Sequence, residues 1–483
     1  MELHTLDHIV FFAFTAGVVL FGCSFYFRNR SADAFTKASG SMPGWVVGMS
    51  IFATYVSSIS FLGIPGNAYA GTWNAFVFSL SIPIAAWLAA KFFVPLYRSV
   101  NSVSAYAYLE TRFGYWARAY AAVCYLLTQL ARTGSVLFLL ALPLSKMFGW
   151  EVSTIIILTG AAVMLYAMLG GITAVVWTDT IQGIILIAGA VACALILTFS
   201  MPEGAGQLFK IASAQEPNKF SLGSLGLSLS SPTFWVVMVY GIFINLQNFG
   251  IDQNYIQRYM TAKSEKSARF SAMFGGLLYV PVSMVFFYIG TALFAYYTAR
   301  PDLLPADTAP DGVFPHFIIN GLPIGITGFL IASIFAAGMS TVSTSLNSGA
   351  TVILTDFFSR FAKNGMSNQK RMAVLYGCSF ALGLLGVLFG LAMMRVKGAL
   401  DAWWSLASIF SGGMLGLFLL GYLVKNIRAM YAVAAVVVGV CVIAYMSLPV
   451  FQSPFHTYLT IVFGTTAIFL VGFVLTSIFA RKK

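Results

Sequence analysis

The sequence predicts an all-α integral membrane protein with about 13 transmembrane helices, and three observations carry this prediction. Of its 483 residues, 59% are hydrophobic and 9% are charged, whereas soluble domains average about 25% charged residues. Apolar runs of about twenty residues, the length that crosses a bilayer as a helix, recur along the whole chain. Most lysines and arginines lie in the short segments between these runs, so the net charge of +12 indicates a membrane topology and not nucleic-acid binding.

The first predicted helix covers residues 7–27. Residues 1–8 contain two acidic residues, Glu2 and Asp7, and no lysine or arginine, whereas a secretory signal peptide begins with basic residues. Arg28 and Arg30 follow the helix directly. Because basic loops stay in the cytoplasm, the N-terminus is predicted to lie outside. Residues 1–44 are therefore predicted to be an extra N-terminal helix and a cytoplasmic loop.

The second span, residues 45–69, contains polar and helix-breaking residues at mid-depth: Thr54, Ser57, Ser58, Ser60, Gly63, Pro65 and Gly66. This composition is typical of a helix that unwinds inside the membrane, where exposed carbonyls can hold a cation. A kinked helix that packs through small residues would have the same composition. These residues alone leave both interpretations open.

The remaining spans are predicted at residues 74–96, 118–147, 152–169, 175–199, 233–256, 268–297, 323–347, 372–394, 402–423, 429–447 and 456–479. An odd number of spans places the termini on opposite sides, so the C-terminus is predicted to be cytoplasmic. The two longest outer segments, 200–232 and 298–322, are rich in Pro, Gly, Ser and Asp. They are predicted to be ordered surface loops or short helices.

A second interrupted span lies at 233–256, where polar residues and a glycine fill the second half: Asn245, Gln247, Asn248, Gly250, Asp252 and Gln253. It comes five spans after the first interrupted one. Two five-helix units, residues 45–199 and 233–423, are therefore predicted to form inverted repeats, as in secondary transporters. Residues 424–483 add two C-terminal helices. Arg258 and the basic residues after it are assigned to a cytoplasmic loop.

Several hydroxyl side chains line the ninth span. Ser340, Ser343 and Thr344 are spaced so that they share one helix face, with Thr341 on the adjacent face. Hydroxyl and carbonyl oxygens suit hard cations. The alternative to a cation site is a packing face. In that case these small residues contact another helix and their hydroxyls bond back to the backbone.

Arg132 lies near the middle of the fourth span, about fifteen residues from either end. An arginine at this depth must face a cavity or a partner, and a structural arginine bonded to backbone carbonyls is the alternative. Asp179 and Asp252 lie toward the inner ends of their spans and could be functional or simply solvated acids. No acid is predicted at the depth of Arg132, so a substrate carboxylate is an expected partner.

Other function classes find no support in the sequence. The five cysteines are odd in number and scattered through apolar spans, without disulfide or metal spacing. A phosphate-binding GxxxxGK[ST] loop and a catalytic constellation of Ser, His or Cys are both absent. The chain is predicted not to be an enzyme, and a channel is disfavoured because no filter sequence is present.

Five motifs together resemble the sodium:solute symporter family over nearly the whole chain: FATYVSSISFLGIP at 52–65, SAYAYLETRFG at 104–114, GGITAVVWTDTIQG at 170–183, NFGIDQNYIQRYMTAKS at 248–264 and FAAGMSTVSTSLNS at 335–348. The resemblance implies a leucine-transporter-like core of two inverted five-helix repeats. It also implies symport driven by Na+, through alternating access, by a chain that works as a monomer in the bilayer and binds no nucleic acid.

The resemblance also implies two sodium sites. The first would be formed by backbone carbonyls and two hydroxyls: Ala53, Val56, Ala337, Ser340 and Thr341. Some members hold a second sodium closer to the cytoplasm. In this chain its side chains would be Asp179, Ser340, Ser343 and Thr344.

Within the family, the chain is most similar to the bacterial sialic acid symporters of the inner membrane. That similarity implies that Arg132 holds a substrate carboxylate, with hydroxyl groups from Ser57 and Ser60. Three substrate-facing positions depart from the pattern, with Tyr55, Ala75 and Ser79 standing where threonine, phenylalanine and glutamine are typical. The expected substrate is therefore a sialic acid or a related acidic sugar.

The sugar-transporting members of the family suggest an alternative substrate. Asn245 matches a sugar-contacting asparagine, with Asn248 close by, and Phe249 stands where those members have tryptophan. The alternative function is sodium-coupled symport of a neutral sugar or polyol.

Overall fold

The computed structural model describes residues 4–27, 31–362, 365–395 and 412–480. In these residues the regular structure is helical, apart from a single isolated bridge between Met42 and Ala262. The prediction of an all-α protein is confirmed.

The helices of the first half are α1 (Thr5–Ser24), α2 (Ala32–Lys37), α3 (Gly44–Tyr55), α4 (Ser58–Ala70), α5 (Phe76–Leu88), α6 (Val94–Val100), α7 (Ala107–Phe113), α8 (Tyr115–Phe148) and α9 (Val152–Phe199). Those of the second half are α10 (Ala205–Ser213), α11 (Phe234–Ile251), α12 (Gln253–Thr261), α13 (Glu265–Ala299), α14 (Pro310–Asn320), α15 (Ile326–Val352), α16 (Ser359–Phe361), α17 (Asn368–Met393), α18 (Gly412–Leu423), α19 (Ala429–Ser447) and α20 (Leu459–Ala480).

The helix lengths agree with about thirteen membrane spans. In the described residues, ten helices are long and apolar enough to cross a bilayer, or eleven when α3 and α4 count as one bent span. The 48 residues of α9, at about 1.5 Å per residue, are long enough to cross twice. The predicted span 402–423 falls partly on residues 396–411, which lie outside the described residues, and α18 is its described part.

A glycine divides α9 into the two predicted spans. Gly171 has φ 56° and ψ −159°, a backbone conformation that breaks the helix and that L side chains rarely adopt. A Cβ at this position would lie 2.8 Å from a ring atom of Phe35. Only glycine fits both the conformation and the contact, so the helix is broken close to where the sequence predicts a loop.

Helix α15 lies at the centre of the bundle, packed against α1, α3, α8, α9 and α17. Nearly all of its side chains are buried. Its N-terminus is capped by Asp7 of α1, whose Oδ1 accepts hydrogen bonds from the amides of Gly325 (2.7 Å) and Gly328 (2.8 Å). A carboxylate at a helix N-terminus is favourable because of the helix dipole. The hydroxyl-rich part of α15 is thereby held deep in the protein.

The segments between α9 and α11 and between α13 and α15 are ordered, as predicted, and contain α10 and α14. Lys219 fixes the first of these loops to the end of α4. Its ammonium donates to the carbonyls of Tyr69 (2.6 Å) and Gly71 (3.0 Å) and lies 4.0 Å from the ring centre of Phe294.

A cluster of ion pairs joins α7, α8 and the turns that follow α15. Arg118 contacts Glu110 at 2.7 Å and Asp356 at 2.5 Å, and Glu110 also pairs with Arg360 at 3.0 Å. The Ser104 hydroxyl donates to Asp356 at 2.7 Å. These contacts tie the segments that lie at one end of the bundle.

Candidate functional site

The second span is broken, as one of the two interpretations of its sequence predicts. Helix α3 ends at Tyr55, Val56 and Ser57 are extended, and α4 begins at Ser58. The two helices are bent by 56°. Ser57 caps α4, because its Oγ accepts a hydrogen bond from the amide of Ser60 at 3.3 Å. The break leaves backbone groups at both helix ends without the partners that a continuous helix supplies.

The seventh span is broken in the same way. Helix α11 ends at Ile251, Asp252 is extended, and its carboxylate caps α12 by accepting from the amide of Asn254 at 2.8 Å. Helix α12 runs to Thr261, five residues beyond the predicted end of the span, and every one of its residues is buried. The assignment of Arg258 to a cytoplasmic loop is therefore wrong.

Arg258 is the functional residue that the sequence analysis missed. Its side chain is completely buried and each guanidinium nitrogen has a partner. Nε donates to Ser50 Oγ (2.7 Å) and Nη1 to the carbonyl of Asn254 (2.7 Å), while Nη2 donates to Asp179 Oδ2 (2.7 Å) and Thr344 Oγ1 (2.6 Å).

One signal in the sequence points to this buried position. Asn254, Gln257, Arg258 and Thr261 fall at helical spacing and form a continuous polar face on α12. A count of apolar residues does not detect such a face. A polar face that follows directly after a transmembrane break indicates a helix that continues inside the protein.

Asp179 is the acceptor around which these side chains gather. It lies on α9 and is completely buried. Its Oδ2 accepts from Ser50 at 2.6 Å and from Arg258, and its Oδ1 accepts from Ser340 of α15 at 2.7 Å. A buried carboxylate needs a partner charge and hydrogen bonds to remain ionised, and Asp179 has both. It is not a solvated interfacial acid.

The four side chains assigned to a second sodium lie in one cluster. Ser340 bonds Asp179, the Ser343 hydroxyl donates to the carbonyl of Ser340 at 3.1 Å, and Thr344 meets Asp179 through Arg258. Carboxylate and hydroxyl oxygens are suitable ligands for a hard cation. The donor set fits sodium, but the structure places a guanidinium between Asp179 and Thr344.

The residues assigned to the first sodium lie at the end of α3 and on α15, which pack against each other. Ala53 belongs to the last turn of α3 and Val56 is the first residue after it, so their carbonyls lie where the helix ends. On α15, the Thr341 hydroxyl bonds back to the carbonyl of Ala337 at 3.1 Å, and both residues are buried. Carbonyl and hydroxyl oxygens at a helix break fit a sodium ion.

Several of the predicted substrate residues gather around Tyr55. Its hydroxyl donates to Asn245 Oδ1 and also interacts with Asn248. Its ring stacks on Phe249, with centroids 5.8 Å apart, and meets Tyr279 edge-on at 4.6 Å. The amide nitrogen of Asn245 donates to Ser81 Oγ at 3.0 Å. Ser81 and Tyr279 belong to this cluster but were not predicted from the sequence.

The other predicted substrate residues are distributed differently. Ser57 and Ser60 are neighbours at the start of α4, with hydroxyl oxygens 3.3 Å apart. Ser79 is buried and bonded to Ser283 of α13 at 2.7 Å. Ala75 ends a short turn before α5 and is exposed, with no hydrogen-bonding side chain to offer.

Arg132 lies on α8 and is half-buried. Its Nη2 donates to the carbonyl of Thr54, in the last turn of α3, at 3.2 Å. On the same helix, Tyr125 donates to Asn254 Oδ1 at 2.7 Å, directly after the second break. The placement of Asp252 at the inner end of its span is wrong, because the buried helix α12 follows it directly.

A cavity of about 680 Å³ lies between α4, α8 and α14. Its walls are Leu62, Gly63, Leu139, Leu142, Pro143, Pro305, Asp307, Thr308, Ala309, Asp311, Gly312, Pro315, His316 and Ile319. It does not include the polar clusters at the two breaks. Leu139 is seven residues from Arg132 on α8, so this wall of the cavity lies about 10 Å along the helix from that arginine.

Comparison with known proteins agrees with this architecture. A model of the sodium:solute symporter family matches residues 35–480. The sodium/sialic acid symporter NanT of Aliivibrio fischeri is 33% identical over 484 residues, covering 99% of this chain and 94% of the relative. The solved structure of a Na+-coupled sialic acid symporter, in a substrate-bound outward-open state, has a TM-score of 0.93 at 31% identity, over 98% of both chains.

A more distant structure shows the shared fold alone. Mhp1, a nucleobase-cation-symport-1 family transporter in a closed conformation, has a TM-score of 0.62 at 17% identity, over 92% of this chain and 94% of that one. The fold is leucine-transporter-like, as expected, and the relatives are transporters and not enzymes. The chain therefore belongs to the sodium:solute symporter family, a family of multi-pass membrane proteins with Na+ as coupling ion.

Proposed function

We propose that this chain imports a sialic acid or a related acidic sugar together with Na+. The observation that carries the proposal is that most hydrogen-bond donors of Arg132 have no protein partner in the described part of the chain. Among the described residues its guanidinium makes one hydrogen bond, to the carbonyl of Thr54, although it has five N–H donors. The remaining donors are suited to a carboxylate, which a guanidinium binds through two parallel hydrogen bonds.

The proposed substrate is supported by the relatives. Both the Aliivibrio fischeri protein and the solved symporter transport sialic acid, and each matches this chain over nearly its full length. The hydroxyls of Ser57 and Ser60, at the start of α4, are the proposed partners for further oxygens of the sugar. Tyr55, Asn248 and Phe249 would form one wall of the site, with Ser79 behind it and Ala75 at its edge.

The proposed coupling ions bind where α3 is broken and where α15 carries its hydroxyls. The first sodium is held by Ala53, Val56, Ala337, Ser340 and Thr341, and the second by Asp179, Ser340, Ser343 and Thr344. Each site joins α15 to another part of the bundle. Sodium binding therefore favours one arrangement of these helices over another, which is a difference in affinity between two conformations.

We also propose the membrane topology. The N-terminus lies outside and the C-terminus lies in the cytoplasm of a bacterial inner membrane, where the chain works as a monomer. Residues 45–199 and 233–423 are the two inverted repeats, between an N-terminal helix (1–44), an outer loop (200–232) and two C-terminal helices (424–483). The repeat boundaries are supported by the two helix breaks, each of which lies in the first span of its unit.

A neutral sugar or polyol is the alternative substrate. It is supported by Asn245, whose place in an aromatic cluster suits a sugar ring. However, the Asn245 carbonyl oxygen accepts from Tyr55 and its amide nitrogen donates to Ser81. A sugar would have to displace these bonds, whereas Arg132 has free donors. The acidic substrate is therefore better supported.

A competition experiment separates the two substrates. Purified protein is reconstituted in proteoliposomes, and uptake of radiolabelled N-acetylneuraminic acid is measured with and without a Na+ gradient. We expect uptake to require Na+ and to be inhibited by the free acid but not by its methyl ester, because the ester cannot accept two charge-assisted bonds from Arg132.

Arg132→Lys is the matched variant, because a lysine keeps the charge but not the bidentate geometry. We expect it to weaken binding of the acid at least about tenfold, the loss of one charge-assisted hydrogen bond, while Na+ still stabilises the protein. Equal potency of acid and ester, or unchanged affinity in Arg132→Lys, would favour the neutral-sugar alternative.

A further inference from the structure

The two carboxylate oxygens of Asp179 bind partners on opposite sides. Its Oδ1 faces α15 and accepts from Ser340, whereas its Oδ2 accepts from Ser50 of α3 and Arg258 of α12. All four side chains are completely buried. One carboxylate therefore faces the proposed second sodium with one oxygen and a protein cation with the other.

Arg258 is held in place by contacts with four helices. Its nitrogens contact Ser50 on α3, Asp179 on α9, the Asn254 carbonyl on its own helix and Thr344 on α15. The contact with Thr344, at 2.6 Å, uses an oxygen that the proposed second sodium also needs. The guanidinium and the sodium ion therefore compete for Thr344 and share the charge of Asp179.

We propose that Arg258 is the built-in counter-ion of the second sodium site and keeps the affinity of that site low. With Arg258 in place, the pair Arg258–Asp179 is neutral, and a sodium ion adds an unbalanced positive charge to a buried region. Without Arg258, the buried carboxylate of Asp179 would attract a cation strongly. This inference rests on the second sodium site proposed above and specifies which residue sets its strength.

The arrangement also links sodium occupancy to the broken helices. Arg258 lies on α12, the helix directly after the break at Asp252, and Ser50 lies on α3, between one and two turns before the other break. A sodium ion that takes Thr344 removes the bond from Arg258 to α15, while Arg258 keeps its bonds to Asp179 and Ser50 and Gln257 still joins α12 to Asn347 and Thr351 of α15. The second sodium ion must leave its site on the inner side in every transport cycle. A low affinity of the site for Na+ favours this release.

The experiment measures sodium binding directly. Binding of radioactive 22Na+ to purified protein in detergent is followed by scintillation proximity, with Na+-dependent thermal stabilisation as a second readout. In Arg258→Gln we expect the apparent dissociation constant for Na+ to fall about tenfold, the lower end of what one nearby charge does to the affinity of a carboxylate for a cation. Arg258→Lys keeps the charge and should remain near the wild-type value.

A double variant identifies the site that changes. In Arg258→Gln combined with Asp179→Asn, the gain in affinity should disappear, because the carboxylate that attracts the ion has gone. A purely structural arginine predicts the opposite of the proposal: Arg258→Gln would then weaken Na+ binding or leave it unchanged, and either result overturns the inference.

Ser50→Ala covers the case in which Arg258→Gln does not fold. Ser50 bonds both Arg258 and Asp179 but is not a proposed sodium ligand. Its loss removes charge-assisted hydrogen bonds from the guanidinium and from Asp179, so Na+ should bind up to about tenfold more tightly, the lower end of what a hydrogen bond to a charged group contributes; unchanged or weaker binding contradicts the proposal. If the wild-type protein binds no Na+ at all, the proposed function itself fails.

Discussion

Ser340 is the residue on which both proposed sodium sites depend. Its hydroxyl bonds Asp179 in this structure, at the place where the two sites meet on α15. We expect Ser340→Ala to weaken the apparent affinity for Na+ by about tenfold or more, since a hydrogen bond to a charged group contributes about 1.5–3 kcal/mol. The measurement is substrate uptake in proteoliposomes as a function of external Na+.

Ser333→Ala is the control for this variant. Ser333 lies two turns earlier on α15, is equally buried, and bonds back to the carbonyl of Phe329 at 2.8 Å. It belongs to neither proposed site, so its removal should leave the Na+ dependence of uptake unchanged. If both variants behave alike, the hydroxyls of α15 serve packing, the alternative that the sequence alone leaves open.

The substrate residues illustrate what single positions in a sequence can predict. Tyr55, Asn245, Asn248 and Phe249 come from two distant motifs, and the structure brings them into one cluster. Ser81 and Tyr279 complete it, but no local pattern marks them, because each lies in a mostly apolar stretch of a long helix. Their role is a property of packing between helices.

At the scale of the element, the break in α9 gives a direct test of the fold. Gly171→Ala places a Cβ against Phe35 and forces a backbone conformation that costs about 1–3 kcal/mol for a residue other than glycine. We expect a lower thermal midpoint in detergent and a lower yield of monodisperse protein.

Gly17→Ala in α1 is the matched comparison. A Cβ at Gly17 meets no atom within 4 Å, and alanine is favoured over glycine in a helix. This variant should be as stable as the parent or slightly more stable. If the Gly171→Ala protein has the same thermal midpoint as the parent protein, α9 is not broken at this residue.

The elements also show where prediction from sequence succeeds and where it stops. Apolar run length locates most spans to within a few residues, because bilayer thickness fixes the length of a helix that crosses it. It fails at α12, since the polar face around Arg258 lowers the mean hydropathy of a helix that is nonetheless buried. It also misjudges Asp252, which does not end its span because the buried helix α12 continues directly after it.

At the scale of the whole molecule, the proposed topology predicts which segments face the outside and which face the cytoplasm. Glu203 lies in the exposed segment after α9, and Lys266 is exposed in the first turn of α13. With the N-terminus outside, a cysteine at Glu203→Cys should react with a membrane-impermeant maleimide in intact cells. A cysteine at Lys266→Cys should react only after lysis, because the basic segment around it is cytoplasmic in the proposed topology.

The exposed native thiol of Cys441 is replaced by serine in both proteins, and the Cys441→Ser protein without an introduced cysteine measures the background from the partly exposed Cys23 and Cys378. The reverse pattern of labelling would invert the proposed topology and with it the direction in which sodium drives the substrate. Labelling of both positions in intact cells would instead indicate leaky membranes, which a cytoplasmic marker protein detects.

The pairing of buried charges has a consequence for how voltage acts on this transporter. Arg258 is matched by Asp179 and Arg118 by Asp356, so these two pairs add no net charge for the empty carrier to move through the electric field. The charge that crosses is then that of the cargo. A singly charged acid with one sodium ion produces no current, whereas the same acid with two sodium ions carries one charge inward, worth about 2.3 kcal/mol per 100 mV. The current that accompanies each substrate molecule therefore shows whether the second sodium ion, the one beside Arg258, is carried together with the first.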